Sequence, residues 1–195
     1  MAANPQSDDL HGIPMTEEAF ERLVDGEDLY RYELIDGIAY NMTGSSPEHG
    51  HITGTIFELI RSRIGRKGFC KVYQEQYVKI PNAPSVVPDV VVTCDRADWD
   101  KDKRLKPFKI RSPRIVFEVL SPSTDRYDHN EKFARYRSCP TLEIYILVSQ
   151  DETHVEVYRR ETEWRQERFS AGQVINLDQI GLELLIDQIY EGVFT

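Results

Sequence analysis

Pro88-Asp89-Val90-Val91-Val92 and, 29 residues on (118 − 89), Ile115-Val116-Phe117-Glu118-Val119-Leu120 decide how this chain is read. Both runs are dominated by β-branched and aromatic residues and read as buried strands. Each carries one carboxylate. An ionised carboxylate in apolar surroundings is costly unless it is paired, hydrogen-bonded or bound to a metal. Because strand side chains alternate with period two, adjacent strands can hold Asp89 and Glu118 within one cation's coordination sphere. Oxygen ligands without cysteine, and with few histidines, favour Mg²⁺, with Mn²⁺ as a substitute, over zinc. Such an ion lowers the pKa of water and steadies charge on a phosphoryl oxygen. The pair therefore points to metal-dependent hydrolysis.

Working outward, Met15 to Val24 reads as a short helix with Thr16 as N-cap and acids in its first turn. Tyr30–Asp36 and Gly37–Met42 alternate like two strands about an Asp36-Gly37 turn. Ser45-Ser46-Pro47-Glu48 opens a second helix, whose stripe Ile52, Ile56, Leu59, Ile60, Ile64 is closed by Gly65. Strands are expected over 69–80, 88–94 and 114–120, and residues 101–113 read as a long exposed loop. A second polar helix, capped by Ser123 or Thr124, is expected to run to about Ser138. Leu142 to Val148 is a strong strand, and 155–160 with 163–169 form a C-terminal meander that ends in Leu-rich pieces at 182–190. The order α-β-β-α-β-β-β-α-β, with further strands behind it, is α/β.

The chain of 195 residues fits one domain over 15–195 behind a flexible segment at 1–14. The amino terminus lacks the pattern of a signal peptide, and no stretch approaches the ~20 apolar residues of a membrane span. Cys70, Cys94 and Cys139 are odd in number, widely spaced and without a Cys-x-x-Cys unit. They argue against a disulfide framework or a zinc knuckle and for a reduced cytoplasm. The net charge of −9 opposes general nucleic-acid binding, but its distribution is uneven. Residues 61–71 carry five bases and no acid, and residues 101–114 carry seven bases against one acid. Arg61, Arg63, Arg66, Lys67, Lys101, Lys103, Arg104 and Lys106 are accordingly the candidate phosphate contacts.

Asp128, Lys132 and Tyr136 lie at spacings of four, on one helical face. As an isolated feature this is an ordinary surface pair; aimed at the acids, Lys132 would orient attacking water or offset charge. Glu33, between Tyr32 and Leu34, is either a third acid or an outward-facing strand residue. His49 and His51 read as surface or capping histidines. Ser121 and Ser123 lack a Gly-x-Ser-x-Gly context, so a serine hydrolase is poorly supported.

Tyr-Glu-Leu-Ile-Asp-Gly at 32–37, Ser-Pro-Glu-His at 46–49, Pro-Asp-Val-Val-Val at 88–92, Phe-Glu-Val-Leu-Ser-Pro-Ser-Thr at 117–124 and Asp-x3-Lys-x3-Tyr at 128–136 occur in that order. From about residue 15 to 165 the chain thereby resembles the Uma-two family of restriction-endonuclease-like proteins, in the PD-(D/E)XK nuclease superfamily. The resemblance implies a mixed central sheet flanked by helices, a Mg²⁺-dependent phosphodiesterase site acting on DNA, no organic cofactor, and a homodimer. It assigns Asp89 to the Pro-Asp motif, Glu118 to the acid of Glu-x-Lys, and Glu33 to the N-terminal acid that completes such sites. Leu120 stands where the superfamily places lysine. Lys132 matches the lysine that this family carries instead, with Tyr136 supporting it. The expected function is a metal-dependent DNA endonuclease; the alternative is a catalytically inactive nuclease-fold protein that binds nucleic acid or a protein partner.

Overall fold

A computed structural model of the chain describes residues 12–26, 30–42, 45–65, 68–103, 105–122 and 124–194. Its centre is a six-stranded sheet of β4 (Lys71–Gln74), β5 (Val90–Thr93), β6 (Pro113–Leu120), β7 (Ile144–Ser149), β8 (His154–Arg159) and β9 (Gln166–Ser170), in that spatial order. Neighbours are antiparallel except β6 and β7, which run parallel. A parallel pair needs a crossover, and here it is helical: α3 (Asp125–Tyr127), a π-helical turn (Asp128–Lys132) and α4 (Phe133–Arg137).

The central strands are buried on both faces, which explains their continuous apolar runs. On one face, Val90, Val92, Ile115, Phe117, Ile144, Ile146 and Val155 pack under Ile52, Ile56 and Ile60 of α2 (Pro47–Ile64). The same layer takes in the hairpin β10 (Val174–Leu177) and β11 (Leu182–Leu185), and α5 (Ile186–Ile189). On the other face, Val91, Val116, Tyr145 and Leu147 pack against Phe133 and Tyr136 of α4.

A second, small sheet of β1 (Ile13–Pro14), β3 (Ile38–Asn41) and β2 (Tyr32–Ile35) joins α1 (Glu17–Gly26) over a separate core that includes Phe20, Leu34, Tyr77 and Val87. Thr16 caps α1 by accepting the Ala19 N–H at 3.2 Å. Asp36 and Gly37 have φ of 49° and 76° between the paired Ile35 and Ile38, the two positive angles that a tight hairpin of this hand requires.

Several expectations are corrected. Strand β1 pairs Ile13 with Ala39 and Pro14 with Ile38, so the expected flexible segment does not reach residue 14; its first eleven residues lie outside the described ones. The strand expected over 69–80 stops at Gln74, where Glu75 turns to a φ of 47°. The loop over 101–113 is not wholly exposed, because Ile110 is buried and Lys109 is held inside by Glu21 at 2.8 Å and Asp25 at 2.6 Å. Strand β10 was not anticipated at all.

The cysteines depart furthest from expectation. Lys71 pairs with Thr93, which places Cys70 opposite Cys94 across β4 and β5, and the two form a disulfide. Spacing along the chain does not reveal a pairing made by sheet register. The bond removes the chemical ground for expecting a reduced compartment. Among the described residues no helix is long and apolar enough to cross a membrane. Closing a loop of 24 residues contributes about 3 kcal/mol in the chain-entropy account. Reduction with dithiothreitol should therefore lower the thermal midpoint by roughly 10 °C in a chain of this size, measured by calorimetry before and after reduction. An unchanged midpoint would mean the two thiols are not joined in solution.

Candidate active site

Asp89 immediately precedes β5 and Glu118 lies within β6. The register pairs Val90 with Phe117, which sets Asp89 opposite Glu118. Pro88 has no N–H to extend the ladder, and the Asp89 carboxylate takes over at its end, with Oδ2 accepting the Val119 N–H at 2.6 Å. The Asp89 N–H in turn points at Glu118 Oε2, at 3.4 Å. Glu118 is on the α4 side of the sheet, beneath the crossover helix, and is 2% exposed.

Lys132 reaches this face from the π-helical turn. Its Nζ lies 3.0 Å from Glu118 Oε2, 3.0 Å from Glu33 Oε1 and 3.6 Å from Asp128 Oδ1, and it donates to the Val87 carbonyl at 3.0 Å. Glu33 Oε1 also accepts the Val87 N–H at 2.8 Å. The two sides of residue 87 are thus clamped, the N–H by Glu33 and the carbonyl by Lys132, and the clamp fixes the Pro88-Asp89 step that follows. Glu33 is a member of the cluster and not an outward-facing residue, since it is fully buried. The Asp128–Lys132 pair likewise is no surface pair, both residues being buried.

Tyr136 is fully buried and its ring lies 5.4 Å from that of Tyr145. Its hydroxyl has no hydrogen-bond partner among the described residues. The ring beside the Lys132 ammonium is that of Tyr127, with Nζ 5.9 Å from its centroid. The Tyr145 hydroxyl, in turn, donates to the Asp128 carbonyl at 2.9 Å.

Three site residues escaped the sequence reading. Asp128 was seen only as a helical neighbour of Lys132, and Val87 contributes through its backbone, which no side-chain pattern can reveal. His49 is neither a free surface residue nor merely part of a cap, because its Nε2 lies 3.3 Å from Asp89 Oδ2. A signal for it existed: His49 precedes Ile52 by three and Ile56 by seven, on the buried stripe of α2. Ser46 caps that helix by accepting the His49 N–H at 3.1 Å.

The electrostatics follow from placing four acids and one lysine in a poorly solvated space. Burial opposes the Lys132 charge, but Glu118, Glu33 and Asp128 outweigh it and hold the ammonium well above its ordinary pKa. Burial raises the Glu118 carboxyl well above the usual carboxylate range, with Lys132 opposing and the neighbouring acids adding. Burial also lifts Asp128 to about 6 against the pull of Lys132. For His49, burial disfavours the charged ring, yet the hydrogen bond and charge of Asp89 prevail and its pKa rises.

A carboxyl whose folded pKa is raised binds its proton more tightly in the folded state. The stability from that proton is full below about pH 4 and is lost as pH climbs through about 6. Without added divalent cation, the Asp128 contribution to stability should fall by roughly 2 kcal/mol between pH 4 and pH 6.5. Urea denaturation across that range should show the loss, and Asp128→Asn should flatten it.

The donor chemistry of the cluster, all carboxylate oxygen, is of the kind a hard dication prefers. Among the described residues, no three His, Cys, Asp or Glu side chains form a group able to hold a metal. Mg²⁺, however, commonly takes one or two carboxylates and completes its shell with water and substrate phosphate. Among the described residues, Glu118 Oε1 and Glu33 Oε2 are buried without hydrogen-bond partners. An excess of carboxylates beside unpartnered buried oxygens is an arrangement that a bound dication would relieve.

Of the candidate phosphate contacts, Arg61, Arg63, Lys101 and Lys103 lie away from this cluster. Arg63 is 14 residues (63 − 49) along α2 from His49, about 21 Å at helical rise, and it donates to the Gly181 carbonyl. Arg61 stacks over Phe57 and borders a shallow cavity of about 190 Å³ with Lys71. Lys101 and Lys103 are exposed beyond the Thr93 end of β5, the end opposite Asp89, and Lys106 is exposed as well. Arg66, Lys67 and Arg104 lie outside the described residues. The uneven charge is therefore real, but Arg61, Arg63, Lys101 and Lys103 are not the immediate rim of the acids.

Known proteins place the chain. An uncharacterized protein of Synechocystis sp. (strain ATCC 27184 / PCC 6803 / Kazusa), slr1290, is 33% identical over 167 residues, covering 84% of this chain and 85% of its own. A second from the same organism, sll1609, is 28% identical over 129 residues, or 66% and 71% of the two chains. A crystal structure from Anabaena variabilis ATCC 29413, titled "a putative nuclease belonging to DUF820", superimposes with a TM-score of 0.75 at 20% identity, over 91% of this chain and 98% of that one. That likeness establishes a shared fold. The model of the family described as "Uma2: Putative restriction endonuclease" matches residues 17–187. With the acid cluster and Lys132 inside that span, the chain belongs to the Uma2 family of restriction-endonuclease-like proteins.

Proposed function

We propose that the protein is a Mg²⁺-dependent endonuclease that hydrolyses DNA phosphodiester bonds, with Mn²⁺ as a substitute cation and a homodimer as the working form. The observation that carries this reading is the 3.0 Å approach of Lys132 Nζ to Glu118 Oε2. An ammonium delivered by the crossover helix stands beside the motif acid, where Leu120 leaves the strand without one.

Asp89 and Glu118 are the metal-holding pair in this reading, and Glu33 anchors Lys132. A divalent cation, when bound, supplies Lewis acidity at the scissile phosphoryl group. Lys132 keeps its charge in the buried cluster and is placed to orient water or to balance developing negative charge. Tyr136 walls the cluster from the helix side. Arg61, Arg63, Lys101, Lys103 and Lys106, together with Arg66, Lys67 and Arg104, would contact phosphates of the flanking duplex. Such contacts position DNA without reading its sequence.

The second reading, an inactive nuclease-fold binder of nucleic acid or protein, is favoured by the saturation of Lys132, whose donors already meet Glu33, Glu118 and the Val87 carbonyl. Supercoiled plasmid incubated with the protein and Mg²⁺ or Mn²⁺ distinguishes the two. Nicked or linear product is expected, reduced about 100-fold or more in Asp89→Ala, since cation stabilisation amounts to several kcal/mol at tenfold per 1.36 kcal/mol. Cutting that survives Asp89→Ala would refute the site. Salt-sensitive DNA binding with no cutting would leave the binder.

A further inference from the structure

We propose that His49 is a positioning residue for Asp89, holding one carboxylate oxygen so that the other is presented to a divalent cation. The inference rests on the metal-dependent reading above and deepens it.

Two groups converge on the same atom: Asp89 Oδ2 accepts the Val119 N–H at 2.6 Å and lies at ion-pair distance, 3.3 Å, from His49 Nε2. Among the described residues nothing bonds Asp89 Oδ1. A carboxylate held at one oxygen by a strand amide and an imidazole cannot rotate freely. The entropy of ordering it is then met by the fold and not by cation binding.

The imidazole is itself well fixed. The Ser46 hydroxyl that caps His49 also contacts Gln150 Oε1 at 3.2 Å, tying the start of α2 to the end of β7. Ile52, Ile56 and Ile60, all fully buried, set the rotation of the helix that carries the ring. The contact is also sheltered, with His49 and Asp89 side chains only 16% and 20% exposed. Hydrogen-bonding partners of this kind behind a metal ligand change metal affinity by about 10- to 100-fold.

Mn²⁺ titration followed by electron paramagnetic resonance tests the proposal on the full chain, beside His49→Ala, His49→Leu and His49→Gln. Both apolar variants should bind Mn²⁺ about tenfold or more weakly while keeping thermal midpoints near wild type. His49→Gln, whose amide can donate to Oδ2, should recover most of the affinity. Pulsed spectra of the wild-type complex should show no directly coordinated nitrogen. Wild-type affinity in His49→Ala and His49→Leu would overturn the positioning role and leave the metal reading intact. A directly coordinated nitrogen would overturn it differently, making His49 a ligand. No Mn²⁺ binding by wild type, or equal binding by Asp89→Ala, would remove the metal reading and this inference with it.

Discussion

Lys132→Met should both silence the protein and destabilise it by about 3–5 kcal/mol, the usual cost of stripping the partner from buried charges. The reason is in the surroundings: Lys132 is 3% exposed, and Glu33 and Glu118 each lie 3.0 Å from its ammonium. Methionine fills the volume but leaves two buried acids facing each other and the Val87 carbonyl without its donor. In a chain of this length the thermal midpoint should fall by roughly 10 °C or more. The loss is expected to shrink when Glu118→Gln is combined with it, because neutralising one acid removes part of the repulsion; a double-mutant cycle reads this coupling directly. A single variant with an unchanged midpoint would mean that Lys132 is not paired in solution. Should the midpoint hold while cleavage is lost, the role of Lys132 would be chemical alone.

Glu118→Gln should act in the opposite direction on stability and in the same direction on function. Burial already pushes the Glu118 carboxyl well up, so the folded protein carries the cost of an acid it would rather hold neutral. An amide of the same shape removes that charge. Stability measured in urea without divalent cation should stay level or rise by about 1 kcal/mol, since Lys132 keeps Glu33 at 3.0 Å as its partner while one of the crowded buried acids loses its desolvation cost. Plasmid cleavage should drop by about 100-fold or more, as for loss of Asp89. Groups that destabilise the resting fold yet are needed for activity mark a site kept for function. A variant that loses stability as much as Lys132→Met, with cleavage intact, would make Glu118 a structural partner only.

These two results depend on an arrangement that was partly legible in the chain. Asp89 and Glu118 stood out because each breaks an apolar strand, and the strands they break did form as adjacent partners in the central sheet. The α2 stripe and its Ser46 cap, the Asp36-Gly37 hairpin and the crossover between β6 and β7 were also readable, since each is written in local periodicity and turn chemistry. His49 was on the α2 stripe but was set aside, because a single polar residue at the end of a stripe gives no hint of what it faces. The basic segments were readable as composition, while their position away from the acids depended on where α2 and β5 end.

The sequence by itself determined the order of elements from α1 to β9, the α/β class and the two strand acids, because periodicity, capping and the cost of a charge in an apolar run are local properties. Tertiary structure alone decided which groups meet: Lys132 between Glu33 and Glu118, His49 on Asp89, and Cys70 on Cys94. Each of those contacts joins elements far apart in sequence. Sheet register and helix docking set them, and neither follows from the spacing of residues along one strand or helix.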